Sequence, residues 1–249
     1  MIDTILLAGG GSAAAGNKAF LEVAGRPMVW YVARALAGAP SVGRVIGVGS
    51  TDDLRRAGEP YLSEVVAETD GTLVDNLVAG LARVSTPTRA LVAASDIPLL
   101  TSDAIEEFLA ACAKEEADFY YPIVPQNILE DRYPGARKTF TRVRDGAFTG
   151  GSIYLFNPGI VPRVRELIDK MVRARKKPWL MASYIGWSTA VKLASGRLTI
   201  KETEETLGAL THLVLRAVIM DRPEVALDAD VEHPENLEIM RRELRQAGG

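Results

Sequence analysis

The chain has 249 residues, 47% hydrophobic and 24% charged, enough apolar material for one large α/β domain or one and a half smaller ones. Its net charge of −3 excludes a broad basic surface for nucleic acid, and its longest apolar runs fall far short of a membrane span. The single cysteine, Cys112, excludes an intrachain disulfide and reads as a small core residue, so a cytoplasmic chain with no leader, membrane or nucleic-acid partner is expected.

Residues 2–7 form an apolar run of strand length that stops in Gly9-Gly10-Gly11, passes through small residues and reaches Lys18. Glycine admits positive φ and close backbone approach, so such a loop can aim several N–H groups at one anion, with Lys18 adding a mobile cation. Leu7, Ala8, Gly9, Gly10, Gly11 and Ser12 therefore read either as a phosphate cradle or as a glycine-rich turn between strand and helix. A P-loop fits poorly, because Asn17-Lys18-Ala19 follows Gly16, which displaces the lysine and leaves no hydroxyl for Mg²⁺. A dinucleotide fingerprint through Gly9, Gly11 and Ala14 also fits poorly. Trp30 and Tyr31 of a helical pattern stand where its acidic residue is due.

Pro27 opens a helix marked by Val29, Val32, Ala33 and Leu36, ending near Gly38 and Pro40. Beyond it the pattern predicts strands over 45–48, 64–67 and 90–94, with helices over 52–57 and 73–84 between them. Near-uniformly apolar strands alternating with helices predict a mostly parallel sheet covered on both faces, with the loops after the strands lined up along one ligand-binding edge. A helix over 102–114 and a strand over 118–124 follow, then an excursion over 125–138 that carries prolines and a glycine. Residues 139–144 alternate apolar and polar, which predicts an antiparallel strand with 151–156 as its partner. Helices are expected over 160–175 and 179–192, and Thr199 with Glu202 suggests a capping box for a helix to about Leu210. Strands over 213–220 and 225–227 and a helix over 234–246 close the chain, which shows no repeat, low-complexity tract or linker.

Several residues have the right chemistry for a site. Asp96 follows its apolar strand directly, which puts a hard carboxylate at the sheet's carboxyl edge where it suits Mg²⁺. Thr101 and Ser102 are better placed than Asp96 to cap the next helix. The run 137–144 concentrates cations in an otherwise acidic chain. On an alternating strand Lys138, Arg142 and Arg144 share one face, either as a clamp for an acceptor phosphate or as an edge strand blunted by charge. Gly71 and the Asn76 amide can hydrogen-bond a base edge, or Asp70 and Thr72 can simply start a helix. His212 and His233 are too isolated in sequence to make a metal site.

Leu7-Ala8-Gly9-Gly10, Gly16, Lys18, Leu21 and Gly25-Arg26-Pro27-Met28 together resemble the opening signature of nucleotidyltransferases of the GT-A, nucleotide-diphospho-sugar transferase type. The relatives it is most similar to are the molybdenum-cofactor guanylyl- and cytidylyltransferases. Ser95-Asp96-Ile97-Pro98-Leu99-Leu100 resembles their metal-binding G/S-D-x-P-L-L motif, and 227–237 resembles their closing D-x-D-x-P-x-D-L block. Strand alternation puts Asp228 and Asp230 on one face, with Asp228 the preferred second metal ligand. Thr149-Gly150-Gly151-Ser152 resembles an acceptor-side T-G-G-N segment, with serine in place of asparagine, or is a plain turn. The family's triphosphate-binding arginine would fall near Ala14, where this chain has Ala13-Ala14-Ala15.

The resemblance implies a single α/β domain of Rossmann-like, GT-A type, with a nucleotide half over about 1–115 and an acceptor half over about 116–249. It implies Mg²⁺-dependent transfer of NMP from an NTP to a small phosphorylated or hydroxylated acceptor. Lys18 and Asp96 are then catalytic. The nucleotide meets Lys18, the glycine loop, Gly71 and Asn76; the metal meets Asp96, Asp228 and Asp230; the acceptor meets Lys138, Arg142 and Thr149 to Ser152. A nucleotide-sugar-dependent glycosyltransferase and a non-catalytic nucleotide-binding relative are the alternatives. The first is disfavoured because its D-x-D motif belongs after a mid-chain strand. A homodimer is left open.

Overall fold

The apolar run at the N-terminus becomes β1 (Ile2–Leu7), the strand on which the sheet is built. β4 (Val42–Gly49) lies parallel on one side of it and β6 (Ala90–Ala94) parallel on the other, with β5 (Glu64–Ala67) outside β4. Ile5, Leu6, Ile46, Val48, Leu91 and Ala93 are all buried, as a strand covered on both faces requires. α1 (Met28–Ala37) and α4 (Ser102–Cys112) pack on the face carrying Leu6, Leu91 and Ala93; α3 (Leu73–Leu81) packs on the face carrying Ile5, Val48 and Val92. α2 (Thr51–Gly58) follows β4, and a small hairpin of β2 (Glu22–Val23) and β3 (Arg26–Pro27) precedes α1. The computed structural model describes residues 1–9, 17–85, 88–162, 165, 192, 195–230 and 233–247.

The second half of the sheet is mixed. β7 (Phe119–Pro125) leads to α5 (Gln126–Arg132), then to the hairpin of β8 (Thr141–Val143) and β9 (Gly146–Gly150), then to β10 (Ile153–Phe156). α6 (Ile200–Thr211), β11 (Leu215–Ile219) and α7 (Pro234–Ala247) complete the described elements. Phe119 pairs with both β10 and β11, and Ile123 with both β9 and β11. β9 and β10 therefore share one edge of β7, antiparallel to it, while β11 runs parallel along the other edge. Leu155 faces Tyr120 but Gly150 faces Ile123, so five steps of one strand span three of the other, and Gly151-Ser152 is the bulge between them. β10 then pairs with β6, which joins the two halves into nine strands among the described residues.

Three expectations need correction. The partner of the 139–144 strand is Gly146–Gly150, not 151–156; Gly146, at φ +141, permits the tight turn after Val143. Residues 153–156 are drawn away because Ile153, Leu155 and Phe156 can be buried only between β6 and β7. Residues 225–227 are no strand: Pro223 starts a 3₁₀ turn, Pro223–Val225, whose apolar side chains are buried beneath the sheet's end. The excursion over 125–138 contains α5, which Leu129 anchors in the core. The expected helices over 160–175 and 179–192 lie, but for a few residues, outside the described residues. No helix among the described residues is long and apolar enough to cross a membrane.

Candidate active site

The carboxyl ends of β1 and β6 lie side by side, because these strands are neighbours in the sheet. At the end of β1 the Ala8 N–H donates to the Val48 carbonyl at 2.8 Å. A Cβ at Gly9 would come within 2.5 Å of Glu68 Oε2 and 3.2 Å of Asn76 Nδ2, so glycine is what lets these two side chains close on the strand end. Asn17 holds the chain on the far side of the loop. Its Nδ2 donates to the Ala8 carbonyl at 2.5 Å and its Oδ1 accepts from Ala19 N–H at 3.0 Å, capping the 3₁₀ turn Lys18–Phe20. Lys18, the first residue of that turn, sends Nζ to the Ala229 carbonyl at 3.1 Å and to 3.9 Å from Asp230 Oδ1. Gly10, Gly11 and Ser12, like Ala13-Ala14-Ala15 and Gly16, lie outside the described residues.

Asp96, just beyond β6, is joined to the C-terminal acids by its own backbone, its carbonyl accepting from Ala229 N–H at 2.8 Å. Leu227 and Ala229 are buried while Asp228 and Asp230 face partly outward, so the expected alternation holds although the segment is not in the sheet. Burial, and next the Asp228 carboxylate, push the Asp96 carboxyl up to about 6, against the pull of Lys18 and Lys138. Lys138 Nζ donates to Asp228 Oδ1 at 2.8 Å, with its side chain only 13% exposed. The Tyr154 hydroxyl is held above its ordinary range by burial and by the charge of the same two aspartates.

One organising residue has no counterpart among the sequence-derived candidates. Asn236, fully buried in the first turn of α7, accepts from Arg137 N–H at 2.8 Å and donates to the carbonyls of Arg137 at 3.0 Å and Asp228 at 3.3 Å. It thereby ties the segment bearing Lys138 to the segment bearing Asp228. Its signal in the sequence was an uncharged amide just inside a helix that opens with proline, a pattern shared with many surface helix starts.

The other candidates separate by position. Thr72 accepts from Asp75 N–H while Asp75 returns the bond to Thr72 N–H at 2.6 Å, so the helix-start reading of 70–76 is realised as a capping box. Asn76 is buried and its Oδ1 accepts from Thr69 N–H at 2.7 Å and Thr69 Oγ1 at 3.0 Å, which leaves its Nδ2 toward Gly9. The shared face of Lys138, Arg142 and Arg144 does not form, because β8 is only Thr141–Val143. Lys138 turns in to Asp228, while Arg142 is exposed and Arg144 N–H donates to the Leu198 carbonyl. Within 149–152, Thr149 is buried, and a Cβ at Gly151 would lie 2.7 Å from Pro122 Cγ and 3.1 Å from the Val225 carbonyl oxygen. Ser152 gives its N–H to Val225 and takes Ala94's at its carbonyl, at 2.8 and 2.9 Å. Gly151 and Ser152 thus pack the Asp228 segment against the end of β6, whereas a Cβ at Gly150 would meet nothing within 4 Å.

The donor set suits a hard cation. Mg²⁺ is commonly held by one or two carboxylates together with substrate phosphates, and Asp96 and Asp228 are two carboxylates close enough for the charge of one to raise the other. No group of three His, Cys, Asp or Glu fit to hold a metal stands together among the described residues.

The family model of the MobA-like NTP transferase domain matches residues 4–182. A hypothetical transferase from Thermus thermophilus is 34% identical over 95% of this chain and 99% of its own, with a TM-score of 0.82. A CMP:2-keto-3-deoxy-manno-octonic acid synthetase complexed with CTP superposes at TM-score 0.59, 12% identity, over 99% of this chain and all of the other. A 2-C-methyl-D-erythritol 4-phosphate cytidylyltransferase, also from Thermus thermophilus, does so at 0.55 and 17%, over 98% and 100%. At those identities the last two bear on the fold alone. No curated protein matches the sequence.

Proposed function

The chain belongs to the MobA-like NTP transferase domain family, and on that footing we propose that it transfers NMP from an NTP to a small phosphorylated or hydroxylated acceptor with release of pyrophosphate. The observation that carries the proposal is the convergence of Lys18, Asp96, Asp228 and Lys138 from four separate segments onto one spot beside the end of β1. An acceptor oxygen bonds to the α-phosphorus as the bond from that phosphorus to the bridging oxygen breaks, and pyrophosphate leaves with the electron pair. Lys18 and the N–H groups of the glycine-rich stretch, Gly9 to Ser12, neutralise the triphosphate. Asp96 with Asp228 or Asp230 holds Mg²⁺, which when bound offsets the negative charge gathered on the phosphates. Lys138, released from Asp228, is the cation nearest the acceptor side. A phosphate acceptor needs no general base, so catalysis is positioning and charge stabilisation.

Titration with each NTP and Mg²⁺, followed by pyrophosphate assay against a panel of phosphorylated acceptors, tests the reading. Release with at least one NTP and acceptor pair is expected. The Ala13-Ala14-Ala15 run, standing where the family's basic segment is due, supports a second reading as a non-catalytic nucleotide-binding protein. Saturable NTP binding with no release from any pair would select it, and selective binding of a nucleotide-sugar would instead select a glycosyltransferase.

A further inference from the structure

A cavity whose walls lie a few residues along the chain from the charge cluster has chemistry of another kind. It measures about 340 Å³ and opens between one face of β7–β9–β8 and the first turn of α6. Its walls include Tyr121, Ile123, Val143 and Phe148, with Ile200 and Thr203 above them, and no charged side chain lines it among the described residues. Burial, and next Glu204, push the Tyr121 phenol up to about 12, so that wall stays neutral too. The cover is fixed to the walls, since Asp145 in the β8–β9 turn accepts from Ile200 N–H at 2.8 Å and Arg144 N–H donates to the Leu198 carbonyl at 2.8 Å.

Three of its walls run straight into the acid cluster. Gly150 lines the cavity, and two residues on Ser152 is bonded to Ala94 and Val225, the approaches to Asp96 and Asp228. Thr141 lines it, and three residues earlier Lys138 donates to Asp228. Tyr121 lines it, and Phe119, two residues earlier, stacks at 5.8 Å on Tyr154, whose hydroxyl feels the charge of Asp228 and Asp96. At about 3.3 Å per extended residue the first two of these links, two and three residues, are on the order of 7–10 Å long, within the length of one small molecule.

We propose that this cavity receives an uncharged, apolar arm of the acceptor, a hydrocarbon or an arene, while the acceptor's phosphate or hydroxyl group lies at Lys138 and Asp228. The inference rests on the acceptor-side reading of the site given above. An apolar cavity of ~150 Å³ holds one benzene ring, so this one accommodates roughly two rings or a branched chain of similar bulk. A sugar phosphate, hydroxylated all round, would leave its hydroxyls unpaired against Ile123, Val143 and Phe148.

Gly150 supplies the test. A Cβ there meets nothing within 4 Å, and Gly150 lines the cavity, so Gly150→Val adds bulk at its wall. Binding of n-octyl phosphate, 2-naphthyl phosphate and glycerol 3-phosphate is measured calorimetrically, alongside the shift in melting temperature caused by NTP with Mg²⁺. The expected result is that one or both apolar phosphates bind at least tenfold tighter than glycerol 3-phosphate, with the alkyl and aryl arms telling chain from ring. Gly150→Val erases that preference and keeps the NTP shift. Should Gly150→Val not fold, Thr203→Leu narrows the same cavity from α6. Equal or better binding of glycerol 3-phosphate, no binding of either apolar phosphate, or an undiminished preference in the filled variant overturns the inference. Loss of the nucleotidyltransferase reading looks different: no NTP shift and no pyrophosphate, whatever the apolar phosphates do.

Discussion

Two charged clusters stand out, one around Asp96 and one around Arg216, and they are built on different principles. Arg216 pairs with Glu115 at 2.8 Å and lies 3.6 Å from Glu204, whose other oxygen accepts the Ala217 N–H of β11 at 2.6 Å. Both glutamates there are held by Arg216, and Glu204 also occupies a backbone donor of β11 that would otherwise invite another strand. The cleft beside it is the larger, about 800 Å³ against 340 Å³, yet its polar groups need nothing from outside. Around Asp96, burial and next the charge of Asp228 raise one carboxyl to about 6. A buried carboxyl raised despite two nearby lysines is the mark of a candidate site, and cleft volume is a poor guide to it. The largest expected effect follows. Asp96→Asn lowers pyrophosphate release by on the order of a hundredfold or more while leaving melting temperature unchanged or raised. Glu204→Gln does the reverse, leaving turnover intact and costing about 1 kcal/mol by chemical denaturation. Comparable turnover losses in both variants would erase the distinction.

The two clusters also differ in what holds them. Surface ion pairs keep Arg216 in place, but the Asp96 cluster depends on a buried amide. Asn236→Ala removes three hydrogen bonds and leaves Arg137 and Asp228 main-chain groups unpaired, so a loss of about 2–4 kcal/mol is expected, with turnover falling beyond what the unfolded fraction explains. Asn236→Asp keeps the size and the acceptor but loses the donors. It should hold the fold better than alanine and yet turn over poorly, because the Asp228 carbonyl then faces a carboxylate. Full activity in the aspartate variant would show that the tie is only structural. One step smaller is the contrast between adjacent glycines. Gly151→Ala drives a methyl into Pro122 and the Val225 carbonyl and should cost about 1–3 kcal/mol, whereas Gly150→Ala should change stability by under about 1 kcal/mol.

The site was more legible in the sequence than the half of the sheet that supports it. Asp96 could be placed because an unbroken apolar strand has one buried register and a defined carboxyl end, and the first acid after it must lie on the edge. Lys18 was legible as the cation that closes the glycine-rich stretch after β1. The pairing of 139–156 was not, because period-2 alternation reports which side chains share a face and is silent on which strand lies alongside. Residues 225–227 misled for a related reason: three apolar residues in a row suit a strand or a buried 3₁₀ turn equally, and Pro223 decides in favour of the turn. Asn236 escaped because an amide's partners are backbone groups about a hundred positions away at Arg137, which no local pattern encodes.

A third carboxylate gives the smallest effect and a control for the first. Asp3 sits at the start of β1, is as buried as a core residue, and like Asp96 pays for desolvation. Its neighbours differ. Oδ1 accepts from Arg44 N–H at 3.1 Å and Oδ2 from Ser85 N–H at 2.7 Å, and these donors outweigh burial, so its carboxyl lies below the usual 3.8. A carboxyl depressed in the native state binds protons more weakly than in the unfolded chain. Its stabilising contribution is therefore complete above the unfolded value and is lost as pH falls through the native one. Asp3→Asn should accordingly melt below the parent protein at neutral pH, with the gap closing as pH drops below 3.8. Thermal melts of the two proteins between pH 7 and about 2.5 measure it. A gap that is constant across that range would mean that hydrogen-bond geometry, and not the charge, is what Asp3 contributes, and that burial alone does not separate a structural carboxylate from a catalytic one.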